Sequence, residues 1–204
     1  WVLPYDDVRS LLLKAKAFHV SDCICRLQQE HIGRRCDFPI HMCLSFAMHE
    51  RSPWPGDVSQ QEALALLDEA ERIGLVHTVS NVAQGVFYVC NCCGCCCSLL
   101  RGITEWGIEN SVARANYYAV IAPELCANCG TCIDRCQVGA ITEEDDVPVI
   151  DRARCIGCGL CVTGCPAEAA HLRRKPDAET IHPPADYAAW EQARLTNRAQ
   201  GHSS

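Results

Sequence analysis

Two runs of cysteines, CANCGTCIDRC at residues 126–136 and CIGCGLCVTGC at residues 155–165, decide how this sequence is interpreted. Both runs have the spacing C-x2-C-x2-C-x3-C, so the second is an internal repeat of the first. A glycine, Gly130 or Gly159, follows the second cysteine of each run and permits a tight turn. A repeat this short cannot bury a core alone, so the two copies should pack against each other.

This spacing is typical of ligands for two cubane iron–sulfur clusters. A [4Fe–4S] cluster needs four thiolates, and in the bacterial pattern the fourth cysteine of each run binds the other cluster. We therefore predict one cluster on Cys126, Cys129, Cys132 and Cys165, and a second on Cys155, Cys158, Cys161 and Cys136. Zinc is the alternative, but four-cysteine zinc sites favour two CxxC pairs over a triplet with a distant fourth ligand.

These motifs resemble the bacterial dicluster ferredoxin family over residues 115–172. The resemblance implies a pseudo-twofold fold of two β-hairpins and two short helices, and one-electron transfer at low potential. One residue departs from the pattern, because Cys165 is followed by Pro166 whereas Cys136 is followed by Gln137. We expect this change to alter the local turn and its hydrogen bonds and to leave the ligands in place.

The first half of the chain contains ten further cysteines: Cys23, Cys25, Cys36, Cys43, Cys90, Cys92, Cys93, Cys95, Cys96 and Cys97. Six of them lie in the eight residues CNCCGCCC (90–97), and a single loop cannot direct all six at one cluster. We expect the 23–43 segment and the 90–97 loop to close together over metal, as one or two further iron–sulfur clusters. His41 is interpreted as an ordinary polar residue, and Arg26 and Arg101 could offset thiolate charge.

The type of N-terminal centre stays open at this point. Ten cysteines could hold two cubanes with two spare thiols, one cubane with several cysteines that do not bind it, or a non-cubane cluster. Cys92-Cys93-Gly94 is similar to the CCG element of heterodisulfide-reductase-type proteins, where adjacent cysteines hold an unusual cluster. The order DCICR, CNCCGCCC and then a dicluster module resembles a group of anaerobe "4Fe-4S binding" proteins, which implies additional cluster binding. A structural zinc site and redox-sensing thiols are the alternatives.

Composition excludes several other classes of protein. The chain has 18 cysteines in 204 residues, but cysteines bunched in such runs cannot readily form disulfides with one another. The formal net charge of −7 disfavours nucleic acid as a partner. No apolar stretch is long enough for a membrane span, and no export signal or glycine-rich nucleotide loop is visible. We therefore expect a reducing cytoplasm, and partners among redox proteins or a larger oxidoreductase complex.

The remaining patterns predict an α+β protein with three parts. Residues 1–114 form a cysteine-rich iron–sulfur domain with helices and a β-hairpin, 115–172 the dicluster domain, and 173–204 a polar tail that wraps a partner or is partly disordered. The predicted elements are a helix over 5–18, an aperiodic segment over 21–50, a helix opened by a capping box at Ser59 and Glu62 and ended at Gly74, strands over 75–79 and 86–89, a partly helical connector over 99–115 and a short helix over 188–195. The first residue, Trp1, is compatible with a chain that begins further upstream.

These features together predict an electron-transfer protein of an anaerobic redox system. The chain has no visible site for a flavin or nicotinamide, so we expect it to be a component of an oxidoreductase rather than an enzyme by itself. Two alternatives are a reductase subunit with a catalytic, non-cubane N-terminal cluster, and a redox-sensing regulator. The predicted helix after Ser59 carries four acidic residues and one arginine, so it is a poor candidate for the DNA-binding helix that a regulator would need.

Overall fold

The structure is a computed structural model that describes residues 1–145 and 147–201, with side chains described through residue 198. The helices of this part are α1 (Tyr5–Lys14), α2 (Ile24–His31), α3 (Gln60–Arg72), α4 (Ser98–Thr104), α5 (Thr131–Asp134), α6 (Leu160–Thr163) and α7 (Tyr187–Gly201). Its strands are β1 (Ala17–Asp22), β2 (His41–Ala47), β3 (Asp57–Val58), β4 (Val76–Thr78), β5 (Tyr88–Cys92), β6 (Tyr117–Ile121), β7 (Ile141–Glu144), β8 (Val147–Ile150) and β9 (Ala170–Arg174). The mixture of helices and small sheets agrees with the predicted α+β class.

The N-terminal half is built on a five-stranded antiparallel sheet with the order β3-β1-β2-β5-β4. Helices α1 and α3 contact each other, and α3 also lies against β1 and β2. Leu12 of α1, Leu67 of α3 and Leu44 of β2 are fully or almost fully buried where these elements meet. Burial of such side chains stabilises the half by roughly 1.5–3 kcal/mol each. The sheet therefore supplies a rigid base for β5, which leads into the 90–97 loop.

Two sequence-based predictions in this half were wrong. The first helix ends at Lys14 instead of residue 18, because the chain turns extended at Ala15 and joins the sheet as β1. The segment over 21–50, predicted to be aperiodic, contains helix α2 and strand β2. The alternation of buried Met42, Leu44 and Phe46 is a strand signal with a period of two that the cysteines had obscured.

The capping-box helix and the hairpin that follows it were predicted correctly. Ser59 accepts a hydrogen bond from the Glu62 backbone N–H, and the Glu62 carboxylate accepts one from the Ser59 backbone. Gly74 has a φ of +89°, which a glycine adopts without strain, and the helix ends just before it. Strands β4 and β5 then pair antiparallel, with Val76 opposite Cys92. The second strand thus begins at Tyr88, later than predicted, and extends into the cysteine loop.

The C-terminal cysteine runs lie among two small sheets and two four-residue helices. Strand β6 pairs with β9, and β7 pairs with β8 as a hairpin. The resemblance implied two hairpins, but the other sheet joins the first and last strands of the module. Helices α5 and α6 begin after Gly130 and Gly159, whose φ values are +74° and +89°. Left-handed glycines therefore open both helices at the same position of the repeat.

The two halves of the chain share an apolar core. One buried cluster joins Val2, Val76 and Leu100 of the first half to Ile156 and Leu160 of the second. The residues on either side of residue 114 are also held in place. The backbone N–H of Val2 donates to the Ala113 carbonyl within the first half, and the Ala115 N–H donates to the Ile156 carbonyl within the second. The predicted boundary near residue 114 therefore runs through packed structure.

The C-terminal segment folds back on the chain's own first half. The backbone N–H groups of Ala83 and Gln84 donate to the carbonyls of Pro184 and Ala185, over 2.8 and 2.9 Å. The Tyr187 hydroxyl lies 2.5 Å from the Ser80 hydroxyl at the start of α7. Helix α7 extends to Gly201 and is longer than predicted. Among the described residues, no helix is both long and apolar enough to cross a bilayer.

Candidate metal centres

The structure gathers the C-terminal cysteines into two separate groups. The first group lines a cavity of about 20 Å³ and consists of Cys126, Cys129, Cys132 and Cys165. The second lines another cavity of about 20 Å³ and consists of Cys136, Cys155, Cys158 and Cys161. Each group takes three thiols from one run and the last cysteine of the other run. The side chains thus have the crossed arrangement that the spacing suggests, while their role as iron ligands stays a prediction.

Backbone amides reach the crossing cysteine of each group. The Ala140 N–H donates to the Cys136 sulfur over 3.1 Å, and the Ala169 N–H donates to the Cys165 sulfur over 3.3 Å. Both donors lie four residues after the cysteine, so the repeat preserves this contact as well as the spacing. Hydrogen bonds to ligand sulfurs are one of the factors that set a cluster's potential.

The two groups differ in their exposure to solvent. Burial raises the pKa of the Cys161 thiol to about 12, and burial also raises the pKa of Cys158 far above its ordinary value. Cys129 is exposed, and hydrogen bonds from the Thr131 hydroxyl and backbone lower its pKa. A metal must therefore displace tightly held protons in the group of Cys158 and Cys161.

The ten N-terminal cysteines also divide into two groups. The smaller group, which we call the four-thiol group, consists of Cys36, Cys93, Cys95 and Cys96, whose sulfurs all lie within 4.8 Å of one another. Burial raises the pKa of the Cys36 thiol, but hydrogen bonds from the Phe38 backbone and then from the other three thiols outweigh this and lower it. This set of four thiols can hold a metal centre.

The larger group, which we call the six-thiol ring, consists of Cys23, Cys25, Cys97, Cys92, Cys90 and Cys43 in their order around it. Hydrogen bonding with its two neighbours in this order is the largest influence on the pKa of each thiol, and Cys43 closes the ring on Cys23. The six side chains line a cavity of about 150 Å³, together with Cys93 and Cys96 of the four-thiol group. Sheet register explains one side of the ring: Leu44 pairs with Val89, so Cys43 and Cys90 are brought together.

The hydrogen bonds of the six-thiol ring alternate between thiolates and thiols. The pKa values of Cys23, Cys97 and Cys90 fall to about 2, 3 and 4, because each thiolate accepts hydrogen bonds from its two neighbours in the ring. The pKa values of the donors Cys25, Cys92 and Cys43 rise for the same reason. Low-pKa thiolates are the form that binds metals, and binding would release the remaining protons.

A buried arginine lies between the two N-terminal groups. Arg26 is only 3% exposed, and its guanidinium donates to the carbonyls of Pro39 and Asn91 over 2.9 and 2.8 Å. Burial lowers the pKa of Arg26, but the thiolate charges of Cys93 and then Cys23 outweigh this effect and raise it. One cation thus compensates charge in both groups. Arg101 is paired with Glu105, 2.8 Å away, and this pair, with a smaller contribution from the charge of Cys96, raises the pKa of Arg101.

The residue that departs from the dicluster pattern contacts the N-terminal cysteine loop. The Gly94 backbone N–H donates to the Gln137 side-chain oxygen over 2.8 Å. A Cβ atom at Gly94 would lie 2.1 Å from the Gln137 carbonyl oxygen, so the two backbones are in close contact. The neighbouring Arg135 guanidinium donates to the carbonyls of Glu71 and Arg72 at the end of α3. Residues 135–137 therefore join the dicluster segment to the first half.

Sequence reasoning identified all eighteen cysteines but missed the division of the ten into six and four. It also missed Arg135, which has no motif around it. Gln137 was recognised as a departure, but the sequence does not indicate what such a residue contacts. His41 is exposed, and its ring nitrogen Nδ1 lies 2.8 Å from the Asp22 carboxylate.

Comparison with known proteins agrees with the C-terminal geometry. Residues 125–170 match the family model described as a 4Fe-4S dicluster domain. The donor sets fit that description, because each of the two pockets in this segment is lined by four cysteines. The chain thus carries a 4Fe-4S dicluster domain together with further cysteine groups, which indicates an iron–sulfur protein with an electron-transfer role. No curated protein matches the chain.

Proposed function

We propose that this protein transfers electrons between redox partners through two [4Fe–4S] clusters with crossed ligands and at least one further N-terminal centre. Cys126, Cys129, Cys132 and Cys165 hold one cluster, and Cys155, Cys158, Cys161 and Cys136 hold the other. The observation that carries this proposal is that eight C-terminal cysteines line two pockets, four cysteines to each, within the segment that matches the dicluster family. The proposed setting is an anaerobic oxidoreductase system in a reducing cytoplasm.

The residues around the two pockets hold the ligands and exclude water. Each cluster, when bound, accepts and returns one electron. Ala119, Ile141 and Leu160 are buried beside the second pocket and limit its contact with solvent. The Ala140 and Ala169 amides orient the two crossing cysteines. In this proposal residues 115–172 form a pseudo-twofold module, residues 1–114 carry the additional centres, and the tail from residue 173 covers the connection between β4 and β5, residues 79–87.

The shared core supports a role for both halves in one electron pathway. Cys92 and Cys97 of the six-thiol ring belong to the same apolar cluster against which Cys136, Cys155 and Cys158 pack. Electron transfer between centres becomes slower with distance, so centres packed on one core are well placed to exchange electrons. We propose that the N-terminal centres exchange electrons with the cluster on Cys155, Cys158, Cys161 and Cys136.

A reductase with a catalytic N-terminal cluster is the second candidate function. The cavity of about 150 Å³ that the six-thiol ring lines with Thr78, Tyr88 and Leu99 favours it, because a substrate could share such a space with a metal centre. Turnover of a substrate by the isolated protein with an artificial electron donor would favour this candidate.

The proposed function is tested by reductive titration of the anaerobically purified protein, monitored by electron paramagnetic resonance (EPR). We expect two low-potential signals from the dicluster segment. The two signals should interact, because the crossing of Cys136 and Cys165 holds the two clusters near each other. Both signals should disappear on reoxidation. A protein that binds stoichiometric zinc in these pockets, without sulfide and without a signal, would contradict the proposal.

Ligand crossing predicts which cluster each variant loses. Cys136→Ser should damage the cluster held by Cys155, Cys158 and Cys161, although Cys136 is closer in sequence to the other triplet. Cys165→Ser is the matched control and should damage the cluster held by the first triplet. EPR of each reduced variant distinguishes the two clusters once their signals have been assigned with Cys129→Ser. Loss of the first cluster in Cys136→Ser would show that the ligands do not cross.

A further inference from the structure

The six-thiol ring has more thiols than a cubane cluster uses, and its geometry sets none of them apart. A [4Fe–4S] cluster takes four thiolates. Among the described residues, only the four-thiol group has its sulfurs all within 4.8 Å of one another, so no set of ring thiols is drawn together in that way. The division of the ten cysteines also leaves the four-thiol group complete without a contribution from the ring.

The space inside the ring differs from that at the other thiol groups of the chain. The two dicluster pockets measure about 20 Å³ each, whereas the cavity that the ring lines, with Cys93 and Cys96 at one side of it, measures about 150 Å³. Zinc sites close on the metal with Zn–S distances of about 2.3 Å and leave no such central volume. The four-thiol group, with all sulfurs within 4.8 Å, has that compact form. The ring therefore accommodates a larger inorganic body than either dicluster pocket does.

The surroundings of the ring suit an anionic cluster. Backbone N–H groups of Leu99 and Leu100 donate to Cys97, and the N–H of Arg26 donates to Cys23. The Thr78 hydroxyl lies 3.4 Å from the Cys92 sulfur. The buried Arg26 guanidinium adds a positive charge next to Cys23. Hydrogen bonds and charge compensation of this kind stabilise thiolate-bound clusters.

We propose that Cys23, Cys25, Cys43, Cys90, Cys92 and Cys97 together hold one iron–sulfur cluster with more than four irons, separate from the centre on the four-thiol group. This inference rests on the proposed function, because it assumes iron–sulfur chemistry in the first half of the chain. It goes beyond that function by giving the first half a large cluster on six thiolates, buried next to the dicluster segment.

The test compares metal content in two variants of the full-length protein. Cys25→Ser/Cys90→Ser removes thiols on opposite sides of the ring, and Cys36→Ser/Cys95→Ser is the matched control in the four-thiol group. Anaerobic native mass spectrometry counts iron and sulfide in each protein. We expect the ring variant to lose more than about four irons per chain and the control to lose no more than about four. Loss of four or fewer irons from the ring variant, loss of zinc without sulfide, or no loss would overturn the proposal.

A second measurement covers the case in which the ring variant does not fold. Mössbauer spectra of wild-type protein grown on ⁵⁷Fe should contain components that do not belong to cubanes and that integrate to more than about four irons per chain. Spectra composed of cubane components alone would overturn the proposal. The dicluster EPR signals, recorded in the same wild-type samples, test the proposed function separately. Their absence would contradict that function, whereas a cubane in the ring with these signals intact would contradict only this inference.

Discussion

Replacing Arg26 by glutamine should destabilise the first half of the protein and impair both of its thiol groups. The guanidinium is 3% exposed and lies among the thiolates of Cys23, Cys36 and Cys93. Removing one partner from a buried ionic arrangement costs about 3–5 kcal/mol, because the remaining charge is left without compensation. For a chain of this size that corresponds to a decrease in melting temperature of more than about 6 °C. Differential scanning calorimetry of the anaerobic protein measures this decrease.

The substitution of Arg26 should also shift the reduction potentials of the N-terminal centres in a defined direction. A reduced cluster carries one more negative charge than an oxidised one, so loss of a nearby cation should lower the potentials of the N-terminal centres. Arg72→Gln is the matched control, since its pair with Glu69 lies on the surface and such pairs contribute little to stability. The dicluster signals should change little in either variant. An unchanged melting temperature together with unchanged N-terminal potentials in Arg26→Gln would show that Arg26 does not compensate the thiolates.

Replacing Gly94 by alanine should separate the N-terminal cysteine loop from the dicluster segment. The new Cβ would lie 2.1 Å from the Gln137 carbonyl oxygen, so one of the two backbones has to move. Overpacking of this kind costs about 1–3 kcal/mol or more, and movement of either backbone displaces cysteines on both sides. We expect reduced metal content in the four-thiol group and an altered EPR signal from the cluster that includes Cys136. Metal analysis and EPR of the reduced variant measure these two effects.

A glycine in open space provides the control for this steric effect. Gly107 has a φ of +66°, and a Cβ added there would have no neighbouring atom within 4 Å, so alanine introduces backbone strain without a collision. Gly107→Ala should lower stability while the metal content and the EPR signals stay as in wild type. If Gly94→Ala behaves like Gly107→Ala, the contact with Gln137 does not couple the two halves. Gln137→Ala, which removes only the hydrogen-bond acceptor, should have a smaller effect than Gly94→Ala.

Local sequence patterns predicted the parts of the fold whose stabilising contacts lie within a few residues. The Ser59 and Glu62 capping box closes within one helical turn, and helix α3 begins and ends where the sequence indicates. The β4–β5 hairpin likewise joins neighbouring segments. Strand β1 was missed because Ala15 and Phe18 continue the apolar spacing of α1, whereas in the structure β1 is extended between β2 and β3 and pairs with both. Pairing between distant segments is not encoded in a local period.

The cysteine spacing by itself determined the class of the C-terminal segment. Three thiols within seven residues can converge on one cluster through a short loop, so the two triplets follow from chain geometry alone. The sequence also determined that ten further thiols exist in two segments. These conclusions need no knowledge of how distant parts of the chain meet.

Only the tertiary structure decided how the N-terminal thiols divide and what connects the two halves. The register of β2 against β5 places Cys43 beside Cys90, while Cys36, seven residues earlier in the chain, joins the loop of Cys93, Cys95 and Cys96 instead. Gln137 became a contact of Gly94 only because the shared core brings the two segments together. The physical reason is the same in each case. A thiol's neighbours are set by the packing of sheet and core, and that packing depends on contacts between residues far apart in the sequence.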